Sequence, residues 1–283
     1  MTVHLADGQA SNALTSHPGS RTTSYLARGD QTEAADLTGA TPVDHWYLLS
    51  AVEVRAGRST AALAVLGDSL TDGRGSTTNR NDRWPDQLLD RLQPRLPGLA
   101  LANQATGGNR VLNDGLGPAA LARLDRDVLA RSGLAWLIVF EGVNDIGTAP
   151  ATQAAQRQVA AYDQIVTRAH TQDLRVYGAT LTPFGGNASY DDPGGYREAA
   201  RQQVDEWIRT SGTFDAVIDL DRAARDPAAP PQPAARLRRR RPPAPEPGGV
   251  QGAGRGRAVR AAAPLRISGR RRPEGCRGRR RGR

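Results

Sequence analysis

Short apolar runs recur along the middle of the chain and are separated by longer segments of mixed polarity. The run at residues 134–142, LAWLIVFEG, is hydrophobic almost throughout. Apolar side chains at both odd and even positions indicate a strand that is buried on both faces, as in a parallel sheet covered by helices. Five apolar runs have the length of a strand. They lie at residues 62–67 (ALAVLG), 99–103, 134–142, 174–181 and 214–220.

Helical periodicity fills the segments between these runs. Helices are predicted at residues 84–96, 118–130, 151–171 and about 196–209. In the first of them, Leu88, Leu89 and Leu92 fall on one face, as in an amphipathic helix. Strands that alternate with helices of 10–20 residues predict an α/β fold, a three-layer α/β/α sandwich with a parallel sheet.

The flanking segments differ from this pattern, and three regions are predicted. Residues 1–54 form a β-rich N-terminal segment, whose end, HWYLLSAVEV, is interpreted as one or two strands. Residues 55–227 form the α/β domain. Residues 228–283 are rich in Arg, Pro, Gly and Ala and lack periodicity, so a disordered C-terminal tail is expected.

Charge is distributed unevenly between these regions. The net charge is +9, but residues 228–283 contain 17 arginines against two glutamates, so the rest of the chain carries a net −6. The basic tail could bind nucleic acid through charge alone, and a basic-tailed nucleic-acid binder is therefore one alternative function. Without aromatic residues or a folded scaffold such binding would be unselective, so no specific nucleic-acid partner is expected.

Composition excludes several other classes of site. The chain has no lysine, which a Walker phosphate loop requires, and its single cysteine, Cys276, can form neither an intrachain disulfide nor a cysteine metal site. No cofactor or metal is expected.

No apolar stretch approaches the roughly 20 residues of a membrane span, and residues 1–20 lack the basic start and apolar core of a signal peptide.

Residues suited to acyl transfer follow three of the predicted strands. Such chemistry needs a nucleophile and donors for the oxyanion that forms on the attacked carbonyl. Ser69 follows the first strand, Gly108 follows the second and can bring a backbone N–H close to a substrate, and Asn144 follows the third and offers a side-chain amide. The carboxyl ends of parallel strands meet at one edge of the sheet, where ligands bind, so these residues are expected to share one site.

These segments resemble the GDSL lipase/esterase family, also called SGNH hydrolases. GDSLTDG, NQATGGN and GVND match the first three family blocks in order. The resemblance covers roughly residues 46–226. It implies a flavodoxin-like SGNH fold, Ser69 as the nucleophile, and Gly108 and Asn144 as oxyanion donors. Ala105 stands where many members have glycine, and family members are often secreted.

The family's fourth block, Asp-x-x-His, is missing. None of the four histidines, His4, His17, His45 and His170, follows the last predicted strand. When each codon from Arg236 onward is read one nucleotide later, the residues become compatible with Gly-Tyr-Asp-Gly-Gly-Asp-His-Leu-His-Pro, which contains the required spacing. We therefore hypothesise a frameshift between about residues 226 and 236.

The sequence thus predicts a serine hydrolase of carboxylic esters that acts through an acyl-serine intermediate. Its substrate would be a small-molecule or glycan ester. Activity of this chain is expected to be strongly reduced because the histidine base and its orienting aspartate are absent. A non-catalytic remnant that binds acyl or glycan groups is the other alternative.

Overall fold

The computed structural model describes residues 1–10, 14–57, 59–148 and 151–233. The strands are β1 (Ser16–His17), β2 (Ser24–Leu26), β3 (Thr41–Val43), β4 (Trp46–Tyr47), β5 (Ala61–Gly67), β6 (Leu99–Ala105), β7 (Leu134–Phe140), β8 (Arg175–Ala179), β9 (Ala216–Ile218), β10 (Arg225–Asp226) and β11 (Ala229–Pro233). The helices are α1 (Ser69–Asp72), α2 (Trp84–Leu92), α3 (Ala120–Leu124), α4 (Val143–Thr148), α5 (Ala151–His170), α6 (Tyr196–Thr210) and α7 (Leu220–Ala224). A π-helical turn, Asp125–Leu129, extends α3.

The predicted parallel sheet is confirmed. Strands β5 to β9 form one sheet in the order β6-β5-β7-β8-β9, and every neighbouring pair is parallel. β5 lies between β6 and β7, so that Ala64 is opposite Ala102 on one side and Leu137 on the other. The carboxyl ends of β5, β6 and β7 are therefore adjacent.

Alternate residues of the central strands supply two apolar cores. On one face, buried Leu66 and Leu137 pack in a cluster that includes Leu124, Ile165 and Ile208 from α3, α5 and α6. The opposite face has a smaller cluster of buried side chains against which α2 packs, comprising Leu63, Val65, Leu99 and Ile138. Burial on both faces explains why β5 and β7 are apolar at nearly every position.

Several predicted elements are shorter in the structure, for local reasons. α2 ends at Leu92 instead of residue 96, because Pro94 has no N–H to donate to the carbonyl of Asp90. The predicted strand at 214–220 is limited to β9, since Asp219 caps α7 by accepting a hydrogen bond from the Arg222 N–H (3.0 Å).

The strand prediction for the end of the N-terminal segment is largely wrong. Of residues 45–54, only β4 is extended and paired, with β1; β2 and β3 form a second antiparallel pair. Val52 and Val54 are exposed and gain no apolar burial from pairing. The segment instead contacts the loop after α1. The Thr23 N–H donates to Asn79 Oδ1 (2.8 Å), and Arg83 Nη2 donates to the Ser20 carbonyl (2.9 Å).

The first residues of the expected disordered tail are ordered. β11 pairs with β10, and the Gly185 N–H donates to the Pro231 carbonyl (2.7 Å). The prediction of disorder therefore does not hold for residues 229–233, and the rest of the tail lies outside the described residues. No helix in the described part of the chain is both long enough and apolar enough to cross a membrane.

Truncation of the larger core should strongly destabilise the fold. Leu137 is fully buried between the sheet and its helices, so Leu137→Ala is expected to lower the free energy of unfolding by about 2–5 kcal/mol. Urea unfolding measures the change. Val54→Ala, at a side chain that is 80% exposed, is the control and should have little effect. Equal effects of the two substitutions would contradict this assignment of the core.

Candidate active site

Ser69 is the first residue of a one-turn helix at the end of β5. Asp68 caps this helix, and its Oδ1 accepts a hydrogen bond from the Leu70 N–H (2.8 Å). The helix ends at Gly73, whose φ of 113° favours glycine and whose N–H donates to the Ser69 carbonyl (3.2 Å). Ser69 is half-buried, and its hydroxyl forms no hydrogen bond with a described residue. The capping role thus belongs to Asp68, and the serine hydroxyl is available.

Gly108 lies in a turn that is attached to the end of β5. The Thr106 N–H donates to the Gly67 carbonyl (3.0 Å), and the Asn109 N–H closes the turn on the Thr106 carbonyl (3.0 Å). The φ of Gly108 is +71°, and a Cβ there would lie 2.8 Å from a methyl carbon of Leu116. Both the backbone angle and the close approach favour glycine at this position.

Asn109 anchors the same turn in the protein interior. Its side chain is fully buried. Nδ2 donates to the Pro118 carbonyl (2.8 Å), and Oδ1 accepts from Nε (2.9 Å) and Nη2 (2.6 Å) of Arg123. Arg123 in turn donates to the Gln104 carbonyl on β6 (2.6 Å). The turn that carries Gly108 is therefore hydrogen-bonded to Pro118 directly and to β6 through Arg123.

Asn144 connects the loop after β7 to the loop after β6. It is buried near the start of α4, and its Nδ2 donates to the Asn109 carbonyl (2.7 Å). Its Oδ1 accepts from the Tyr190 hydroxyl. The next residue reinforces this junction, because the two carboxylate oxygens of Asp145 accept from the N–H groups of Val111 (2.8 Å) and Leu112 (3.0 Å).

The three residues predicted from the sequence thus lie in connected loops. The Gly108 turn and Asn144 are joined directly through the Asn109 carbonyl, and Ser69 is joined to them through the bond between Gly67 and Thr106. Two of the histidines contact residues outside these loops. His45 contacts the Tyr47 hydroxyl (2.7 Å), and His170 contacts Asp215 Oδ2 (3.0 Å).

Two side chains near the site could not be assigned to it from the sequence. Tyr190 belongs to the long loop after β8, and no motif marks it. His17 lies in the N-terminal segment, and its Nε2 contacts Oδ1 of Asp72 in the helix that begins with Ser69. The Asp72 carboxylate also lies against Gly107, where a Cβ would be 3.3 Å from Oδ2. The N-terminal segment therefore borders the Gly108 turn.

Buried carboxyl groups lie beneath these loops. The pKa of Asp68 is raised to about 7, mainly by burial and to a smaller extent by the charges of Asp145 and Asp72, while the hydrogen bond from the Leu70 N–H lowers it. Burial likewise raises the pKa of Glu141 well above its ordinary value, with a further contribution from Asp68. Glu141 Oε2 has no hydrogen-bond partner among the described residues. Protonated carboxyls suit this dry environment.

No metal cluster accompanies the site. The described residues contain no group of three or more His, Cys, Asp or Glu side chains that could hold a metal ion.

The fold is a parallel α/β/α sandwich with an available serine hydroxyl at the end of β5, and a glycine turn and a buried amide lie in loops connected to that strand end. A model of the GDSL-like Lipase/Acylhydrolase family matches residues 65–238, and the chain belongs to this family. The resemblance in the sequence is confirmed, and the family consists of hydrolases that act on esters.

Solved structures similar to this chain have low sequence identity. A putative lipolytic protein of the G-D-S-L family from Desulfitobacterium hafniense is 20% identical, with coverage of 60% of this chain and 82% of that one and a TM-score of 0.45. Esterase EstA from Pseudoalteromonas sp. is 16% identical, with coverage of 56% and 77% and a TM-score of 0.43. The lipase/acylhydrolase from Enterococcus faecalis is 17% identical, with coverage of 57% and 76% and a TM-score of 0.44. Comparison with curated proteins gave no match.

The raised pKa of Asp68 predicts a pH dependence of stability. Between about pH 4 and 7 the folded chain keeps a proton that the unfolded chain has released, so the free energy of unfolding should fall as pH rises through this window. Asp68→Asn keeps an oxygen for the Leu70 N–H and cannot ionise. It should make the decline shallower, by at most about 1.4 kcal/mol per pH unit. Urea unfolding at pH 5, 6 and 7 measures the slopes.

The control for this prediction is Asp163→Asn, on the exposed side of α5. This variant should retain the slope of the parent chain. Parallel slopes for the parent and Asp68→Asn would show that Asp68 is ionised in the folded state throughout the window.

Proposed function

We propose that this chain hydrolyses carboxylic esters through an acyl-serine intermediate, with Ser69 as the nucleophile and with Gly108 and Asn144 as oxyanion donors. The observation that carries the proposal is the hydrogen bonding of Asn144, whose amide is held between the Asn109 carbonyl and Tyr190. Its loop is connected to the end of β5, where the Ser69 hydroxyl is available. Membership of an ester-hydrolase family supports the same reaction class.

The orientation of the Asn144 amide follows from its partners. The Asn109 carbonyl only accepts hydrogen bonds, so the group facing it is Nδ2 and not Oδ1. Oδ1 then faces the Tyr190 hydroxyl, which donates to it. Nδ2 carries two hydrogens, and the bond to Asn109 uses one. The second is the hydrogen that we assign to the oxyanion.

The reaction divides into two steps. Ser69 Oγ attacks the ester carbonyl, its proton is transferred to a base, and the negative charge that develops on the carbonyl oxygen is stabilised by the N–H of Gly108 and the amide of Asn144. The tetrahedral intermediate expels the alcohol, which takes up a proton, and leaves an acyl-serine. Water then hydrolyses this ester, releases the carboxylic acid and restores the Ser69 hydroxyl.

The base is the component that this chain lacks, and we propose that its activity is low for that reason. All four histidines of the chain lie in its described part, and each contacts another residue. His4 pairs with Asp30, His17 with Asp72, and His45 and His170 have the partners given above. None hydrogen-bonds to Ser69. A residual rate would come from substrate binding and from oxyanion stabilisation.

A p-nitrophenyl acetate assay of the full chain tests the nucleophile. The parent chain should release p-nitrophenol above the buffer rate, and Ser69→Ala should reduce the rate to that of buffer, because the acyl-serine cannot form. Ser59→Ala, at an exposed serine, is the control and should keep the parental rate. A parental rate that equals buffer, or one that survives Ser69→Ala, favours a non-catalytic remnant that binds acyl or glycan groups.

Restoring the reading frame tests the proposed loss of the base. Nucleotide sequencing around codons 226–250 should identify a single-base change that restores Asp-x-x-His. The protein made from the restored frame should have a kcat higher by up to the order of 10⁶, the effect of removing a histidine base from a serine triad. Replacing the restored histidine with alanine should abolish the gain. If no single-base change yields the Asp-x-x-His spacing, the frameshift hypothesis is wrong.

A further inference from the structure

Two arginines without ion pairs border the candidate site. Arg74 follows the one-turn helix of Ser69, and its N–H donates to the Ser69 carbonyl (2.8 Å). Arg110 follows Asn109, whose carbonyl holds the Asn144 amide. Neither guanidinium forms a hydrogen bond or an ion pair with a residue in the described ranges.

Both arginines lie beside residues of the candidate site. Arg110 Nε and the Gly108 carbonyl oxygen lie 3.8 and 3.7 Å, respectively, from the position that a Cβ on Gly115 would occupy. The Arg110 side chain therefore extends along the turn that carries Gly108. Burial raises the pKa of Tyr190, with a further contribution from Asp68, and the positive charges of Arg74 and Arg110 oppose this rise. Both charges thus act at the hydroxyl that contacts Asn144.

The nearby carboxyl groups do not cancel these charges through direct contacts. Asp68 is buried and keeps its proton up to about pH 7. Asp145 uses both oxygens to accept backbone N–H groups, and Asp72 contacts His17. Asp114 accepts from the Ala119 N–H (2.8 Å). A substrate anion is therefore a suitable partner for the two guanidinium groups.

We propose that the site selects esters that also carry an anionic oxyacid group, a carboxylate or a phosphate, which Arg74 and Arg110 bind while the ester lies at Ser69. The inference rests on the proposed function, because it takes Ser69 as the reacting group. Guanidinium groups suit this role because their planar set of N–H donors matches the oxygens of carboxylate and phosphate.

Binding to the full-length chain tests the proposal without requiring turnover. Three aryl acetates share one ester and differ in the opposite ring substituent: 4-acetoxybenzoate, 4-acetoxyphenyl phosphate and methyl 4-acetoxybenzoate. Ligand-observed NMR titration gives the Kd of each. At least one anionic probe should bind about tenfold or more tightly than the neutral ester, and 0.5 M NaCl should weaken the anionic probe alone. The tighter of the two anionic probes identifies the oxyacid.

A double variant assigns this preference to the two arginines. Arg74→Gln with Arg110→Gln should weaken the anionic probe about tenfold and leave the Kd of the neutral ester unchanged. The control is Arg28→Gln with Arg95→Gln, which changes the net charge equally at two exposed arginines and should keep the preference. Equal affinity of the parent for all three probes, or equal losses in both double variants, would overturn the proposal.

This experiment fails independently of the proposed function. Absence of an anion preference in the parent chain, with Ser69-dependent hydrolysis intact, would refute only the role of the arginines. Arg-dependent binding without Ser69-dependent hydrolysis would instead refute the esterase reaction and retain an anion-binding site.

Discussion

The hydrogen bond between the Asn144 amide and the Asn109 carbonyl is the contact on which the site depends. It joins the loops that follow β6 and β7, and it is buried. A buried amide or carbonyl that loses its partner costs about 1–3 kcal/mol. This penalty keeps the two loops together and fixes which end of the amide faces the Asn109 carbonyl. The junction is extended to β5 by the bond between the Thr106 N–H and the Gly67 carbonyl.

The hydrogen bonding of these loops requires carboxyl groups to be buried beneath them, which disfavours their ionised form. Asp68 and Asp145 supply the acceptors that several backbone N–H groups need, yet burial raises the pKa of both. A carboxyl group is suited to this position despite its burial, because its two oxygens can accept hydrogen bonds from several N–H donors within a small volume. These hydrogen bonds hold the backbone at the start of the Ser69 helix and the backbone that follows the Gly108 turn.

The central fold could be predicted from the sequence because its signals are local. The apolar runs of β5 and β7 and the periodicity of α5 and α6 are visible without knowledge of any partner, and the order of strand-end motifs placed Ser69, Gly108 and Asn144 at one edge. The contacts of Tyr190 and His17 could not be predicted in this way. Each joins residues 46 or 55 positions apart, through a loop or a flank that has no periodic pattern. Of residues 45–54, which were predicted to form one or two strands, only β4 is extended and paired, and Val52 and Val54 are exposed.

The described network separates the oxyanion side of the site from its proton-transfer side. The hydrogen bonds given above for Asn144 and for the turns of Ser69 and Gly108 come from residues no later than Tyr190 in the chain. The family's histidine base belongs to a block that would follow the last strand. A change confined to the coding sequence beyond residue 226 would therefore alter proton transfer. It would leave both partners of each of these hydrogen bonds in place. Under the proposed mechanism, substrate binding and oxyanion stabilisation would thus be separable from the base, and a chain without the base would keep the hydrogen bonds that connect these loops.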